Sequence, residues 1–204
     1  MRNTVVSTVV PKACFNASSL MSQLVGGGHT FKGYSEDLPS IGFRGKNHGL
    51  YARKHVPWIS FCTMPDGKTA ADSSNLRFQQ DFPSDYDSLP TVSFVIPNMQ
   101  NDGHDGSLNQ ADSWLQTNVA PVLANSSFQK DGLLIILFDE SFSGDTQYGG
   151  GQVAMVVISP LAKKGYQSTT LYQHQSMCRL MLEGLGLTTF PGACQGAAQM
   201  NEFF

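Results

Sequence analysis

Apolar residues gather into three short tracts, at 91–96, 133–138 and 153–158, the last two uninterrupted and the first broken by Thr91 and Ser93, and each tract gives way to polar residues. Runs of this length rich in Val, Ile, Leu and Phe predict buried strands. Elsewhere the apolar positions recur at helical spacing. Leu20, Met21, Leu24 and Val25 predict a helix across 16–25, capped by Ser18 or Asn16 and closed by Gly26, Gly27 and Gly28. Leu115, Val119, Val122 and Leu123 fall at i, i+4, i+7 and i+8, an apolar helical face that Pro121 bends or restarts. Cys178, Met181, Leu182 and Leu185 make a similar face ahead of Gly186. A short strand is predicted at 31–34, extended chain at 56–61, and loops at 36–54, 66–75 and 81–90. Strands alternating with helices predict a layered α/β fold with a mostly parallel sheet.

In such a sheet ligands bind beyond the carboxyl ends of the strands, so the residues after each tract matter most. The tract at 133–138 delivers Asp139 and Glu140. Adjacent carboxylates repel and lose hydration, a cost that a bound divalent cation offsets. The competing reading makes Asp139 a turn cap and Glu140 a solvated residue. The tract at 91–96 runs through Pro97 and Asn98 to Asn101, Asp102, Gly103, His104 and Asp105. A carboxylate beside His104 fixes its tautomer and raises its basicity, or all three groups face a metal. Asp and Gly also favour plain turns. Lys54 and His55, following Arg53, suit a phosphate oxyanion, with a solvated basic turn as the alternative. His174 lies one helical turn before Cys178, which predicts a packed, hydrogen-bonded imidazole rather than a ligand.

Composition narrows the classes. With 204 residues the chain fits one domain, 1–204, and its net charge of -3 supplies no basic field for nucleic acid or an anionic membrane. Charged residues are 14%, against roughly 25% in an average soluble protein. Surface polarity then comes from Ser, Asn, Gln, Thr and Gly, an extracytoplasmic style of surface. No apolar run approaches the ~20 residues of a transmembrane helix, and the stretch at 1–11 is too short and polar for a signal peptide. Cys14, Cys62, Cys178 and Cys194 form no zinc-type spacing; Cys178 and Cys194 either pair or remain buried thiols. The chain has no G-x-S-x-G, phosphate-loop, G-x-G-x-x-G or H-E-x-x-H pattern.

Several stretches together carry a family resemblance: Phe31 through Pro39, Tyr51 through His55, Ser93 through Asp105 with Asp112-Ser113-Trp114-Leu115, Leu137 through Glu140, and Val156 through Pro160. In these the chain resembles the phosphoesterase family of bacterial acid phosphatases and phospholipases C, a branch of the alkaline-phosphatase-like superfamily. It is most similar to the small secreted acid phosphatases, some described as phosphatidylinositol-3-phosphatases. The resemblance implies helices on both faces of a mostly parallel sheet and metal-dependent hydrolysis of phosphate esters, with phospholipid or phosphoinositide among the candidate substrates and sulfate or phosphonate esters as rivals. It implies Asp139, Glu140 and Asp102 as ligands of a divalent metal ion, His104 and Asp105 as catalytic, and Lys54 and His55 at the phosphate. It also implies secretion. Members carry an earlier strand, a Glu-Asn metal pair and a Ser or Thr nucleophile that have no counterpart before Cys14. The expectation is therefore an N-terminally truncated domain lacking its first strand, with exposed sheet edge, and a phosphate-binding remnant without turnover as the alternative to an enzyme.

Overall fold

A computed structural model of the chain describes residues 13–142 and 144–204. At its centre β1 (Phe31–Ser35) lies between β4 (Asn75–Arg77) and β5 (Val92–Ile96), both parallel to it. Phe31 sits opposite Val92 and Ser35 opposite Ile96, while Gly33 sits opposite Asn75. All three strands therefore end on one edge. A small hairpin, β2 (Asn47–His48) with β3 (Tyr51–Ala52), hangs between β1 and β4 in sequence.

Alternation along β1 sends side chains to both faces, and each face is covered. Phe31 packs with Leu20, Met21 and Leu24 of α1 (Leu20–Gly26), with Val56, Trp58 and Ile59, and with Leu182 of α6 (His174–Gly184). Tyr34 points the other way, joining Leu76, Phe78 of α2 (Phe78–Asp81) and Trp114 of α3 (Leu108–Asn118). The fold is thus the expected α/β layering, a parallel sheet between helices. Leu24, Val56, Trp58 and Leu182 are fully buried, each worth about 1.5–3 kcal/mol of burial.

The remaining elements refine the sequence reading. Pro121 does restart the third helix: α3 stops at Asn118 and α4 (Ala120–Leu123) begins again with that proline in its first turn, followed by α5 (Phe128–Asp131). The strand at 133–138 is β6 (Leu134–Leu137), and its partner β7 (Met155–Ile158) runs antiparallel. Among its described residues the connection holds a single 3-10 turn, Gln147–Gly149, and the chain returns antiparallel beside itself. Among the described residues β5 pairs only with β1 and β6 only with β7, and every residue of β5 and β6 is half-buried.

Two expectations need correction. The cap of α1 is Ser19, neither Ser18 nor Asn16: its hydroxyl accepts from the Ser22 N–H while the Ser22 hydroxyl accepts from the Ser19 N–H, a reciprocal box. The segment at 56–61 is not extended, because Pro57 takes helical torsions (φ -67°, ψ -31°) and starts the 3-10 turn Trp58–Ser60. Both cysteine pairs are joined, Cys14 to Cys62 and Cys178 to Cys194. The first ties the segment before α1 to the end of the Trp58 turn, and the second ties α6 to the 3-10 turn Gly192–Gly196.

Candidate active site

Beyond the carboxyl ends of β1 and β5 the backbone is held by a carboxylate and two carboxamides. Glu36, the residue after β1, accepts from the Asn98 N–H at 2.9 Å and from Asn101 Nδ2 at 2.9 and 3.1 Å. Asn98 is buried. Its Oδ1 accepts from the N–H groups of Gln100 and Asn101, and its Nδ2 donates to Asp37 at 2.7 Å. That last bond secures Asp37 in a left-handed conformation, φ 58°, which Asp tolerates better than most residues. Gly103, at φ 85°, then reverses the chain so that Asp102 and His104 face a common space. None of Glu36, Asn98 or Asn101 carried a role in the sequence reading; the only signal was their position at strand ends.

The loop so fixed presents its charges in order. Asp102 Oδ1 accepts from the His104 N–H at 2.8 Å, and His104 Nδ1 lies 2.8 Å from Asp105 Oδ1. On its other side His104 Nε2 is 3.5 Å from Lys54 Nζ. The 3-10 turn Arg53–His55 brings Lys54 and His55 in from the β3 hairpin. His55 is held between two carboxylates, its Nδ1 3.4 Å from Asp102 Oδ2 and its Nε2 3.8 Å from Asp139 Oδ2. The end of β6 therefore meets the end of β5 through one imidazole. His174 does make a hydrogen bond, Nε2 to the Phe138 carbonyl at 2.9 Å, though its surface is exposed. Glu140 follows directly, and its N–H donates to Asp139 Oδ1 at 2.9 Å.

His55 is the buried member of the set: its side chain is 13% exposed against 51% for His104 and 64% for Asp139. Burial drives its pKa below the usual imidazole value, the negative charges of Asp139 and Asp102 oppose that, and the positive charges of Lys54 and His104 reinforce it. The imidazole is therefore available in its neutral form, and the two flanking carboxylates offset part of the cost of protonating it. The turn supporting His55 is anchored from below by Arg53, whose buried guanidinium donates to the Val56 carbonyl and the Ser60 hydroxyl, both at 3.0 Å.

The structure brings Lys54, His55, Asp102, His104, Asp105 and Asp139 together. As a cation cage the set is incomplete. Among the described residues no three of His, Cys, Asp or Glu converge closely enough to hold a metal ion. The one suggestive atom is Asp102 Oδ2, which is buried with no hydrogen-bond partner among those residues. Two oxygens and a ring nitrogen are a partial ligand set.

Comparison with known proteins gives a consistent set of relatives. A model of the phosphoesterase family matches residues 3–187. A phosphatidylinositol-3-phosphatase of Mycobacterium tuberculosis is 36% identical over 162 residues, covering 79% of this chain and 51% of the relative. A phosphate-repressible acid phosphatase of Penicillium chrysogenum is 34% identical over 167 residues (76% and 39%), and a probable acid phosphatase of Kluyveromyces lactis 31% over 170 residues (79% and 40%). The chain spans about half the length of the mycobacterial relative and about two-fifths of the fungal ones.

Proposed function

The chain belongs to the phosphoesterase family, and on that premise we propose that the cluster of Lys54, His55, His104 and Asp139 is a phosphate-ester site serving a phosphatase. The observation that carries the reading is the placement of His55 between Asp102 and Asp139, with the Lys54 ammonium beside His104. Lys54 gives a phosphate oxygen a point charge, and His104, oriented by Asp105, gives it a directed N–H. His55, neutral near pH 7 because it is buried, takes a proton from the attacking oxygen or returns one to the leaving alcohol. Asp102 and Asp139 stabilise the imidazolium during that step. The relatives named as acid phosphatases support monoester hydrolysis. The phosphatidylinositol-3-phosphatase supports a phosphoinositide as one substrate; phospholipase C action on a phosphodiester belongs to the proposal by family resemblance alone.

A divalent cation at Asp102, Asp139 and Glu140 belongs to the proposal as its separately testable part. Its role when bound is to neutralise phosphate charge, and its remaining ligands come from water, phosphate or residues outside the described set. Secretion or another extracytoplasmic place also belongs to the proposal, supported by two disulfides, which persist in oxidising compartments. No described helix is long and apolar enough to cross a membrane.

A second reading, phosphate binding without turnover, has one observation in its favour: among the described residues no Ser or Thr hydroxyl is hydrogen-bonded to His55 or His104. Hydrolysis of a chromogenic phosphate monoester separates the two. The proposal expects turnover that falls about 100-fold or more in His55→Ala and that chelation abolishes if the cation is required. Phosphate binding with no hydrolysis moves the assignment to the second reading, and equal rates on matched sulfate esters move it to a sulfatase.

A further inference from the structure

Beside Asp139 opens a cavity of about 980 Å³, at the upper end of the range for small-molecule sites. Resting on the phosphate-ester reading above, we propose that this cavity seats the alcohol portion of the substrate and that its chemistry selects an uncharged polyhydroxylated ring, a sugar or cyclitol monophosphate, over esters bearing a second phosphate, the phosphodiester-bearing phosphoinositides included. Leu137, Met155, Val157 and Met177 give it an apolar floor. Tyr148, Tyr166, Tyr172 and Phe203 line it with aromatic rings, and Gln147, Gln152, Gln167 and Gln173 add carboxamides to the lining. Among the described residues that line it, Asp139 and His174 are the ionisable ones besides the tyrosines, and none is Lys or Arg.

A cyclic polyol matches such a surface on both counts. Its C–H faces lie against aromatic rings, and its hydroxyls exchange hydrogen bonds with carboxamides, which both donate and accept. A second phosphate placed there would find no cationic side chain among the described lining residues and would be repelled by Asp139. The walls are already set. Glu202 accepts hydrogen bonds from the hydroxyls of Tyr166 at 3.0 Å, Tyr172 at 2.7 Å and Ser168, and Gln173 Nε2 donates to the Tyr148 carbonyl at 3.0 Å. Lys163, the cation of that neighbourhood, is turned to the Glu202 carbonyl and the Tyr166 ring and does not line the cavity. Side chains of Gln167 and Thr169 have no hydrogen-bond partner among the described residues, leaving their polar groups free for a ligand.

The test is calorimetric titration of the whole chain with inorganic phosphate, glucose 6-phosphate and glucose 1,6-bisphosphate. The monophosphate is expected to bind about 10-fold tighter than inorganic phosphate, the worth of one or two net hydrogen bonds, and the bisphosphate no tighter than inorganic phosphate. In a Gln167→Leu, Thr169→Val double variant, its fold checked by near-ultraviolet circular dichroism, the preference for the monophosphate is expected to collapse toward unity. Phosphate binding with no sugar preference, or tighter binding of the bisphosphate, overturns the pocket assignment and leaves the phosphate-ester reading standing. No binding of any of the three overturns both.

Discussion

Gly33 lies in the middle of β1 with the benzo ring of Trp58 pressed against its α-carbon. A Cβ added there would fall 2.6 Å from Trp58 Cη2 and still nearer to Cζ2 and Cε2, far inside van der Waals contact. Trp58 has nowhere to retreat. It is fully buried, with the rings of Phe31 and Phe94 each 5.9 Å away, edge-on. Overpacking of this kind costs about 1–3 kcal/mol, and a rigid neighbour on all sides puts Gly33→Ala at the upper end, about 3 kcal/mol. Replacing Gly in a strand returns only about 0.5–1 kcal/mol, so the net expectation is about 2–2.5 kcal/mol. With a urea slope of about 2 kcal/mol/M the unfolding midpoint falls by about 1 M. Trp58→Leu alone, a large-to-small change in the core, costs about 3 kcal/mol. Together the two changes should cost less than their sum by at least 1 kcal/mol, since the second relieves the clash made by the first. Urea unfolding of the four proteins with disulfides intact is the assay. A midpoint for Gly33→Ala within 0.2 M of the parent, about a fifth of the expected shift, or strict additivity with Trp58→Leu, would refute the packing argument. Because Trp58 follows His55 by three residues, the same displacement should reach the site.

Other consequences concern the site itself. In Asp139→Asn the negative charge that opposes burial at His55 is lost, so its pKa, already depressed, should fall further in an NMR titration of the His55 ring; a rise would mean that the Asp139 contact does not form in solution. His55 also links stability to pH. Its folded pKa lies below the unfolded value near 6.5, so its contribution is complete above about pH 6.5 and is lost as pH falls through the folded pKa. His55→Gln should flatten that part of the thermal-stability profile. Glu36→Gln cannot accept from Asn98 and Asn101 as the carboxylate does, and should cost about 1–3 kcal/mol while broadening the amide signals of 98–105; sharp, unshifted signals would show that Glu36 does not anchor the loop.

The strands β6 and β7 were legible because each is a continuous apolar run, β5 because Val92, Phe94, Val95 and Ile96 surround a single Ser93, and the helices because their faces keep a 3.6-residue period. β4 was not. Asn75-Leu76-Arg77 has no apolar run, and its buried Asn75 is placed by long-range bonds, Nδ2 to the Phe43 carbonyl at 3.0 Å and the backbone ladder to β1. At the site, Asp139, Asp102 and His104 stood out as polar groups delivered by strand ends. The central place of His55 did not, because a basic turn in sequence reads as solvated. What buries it is the Arg53 anchor and the approach of Asp102 and Asp139 from 47 and 84 residues away in sequence, contacts that no local pattern encodes. Pairing of Cys178 with Cys194 was one of two readings left open by their spacing, and it is decided by the turn that returns the chain to α6.

The central claim is that phosphate is received between Lys54, His55 and His104. It is tested most directly by following the imidazole nitrogen-15 resonances of all five histidines while inorganic phosphate is added. The account predicts saturable shifts at His55 and His104 that share one dissociation constant and vanish in Lys54→Met, with His29, at the opposite edge of the sheet, unmoved. Stationary His55 and His104 signals, or shifts of equal size at His29, would contradict it.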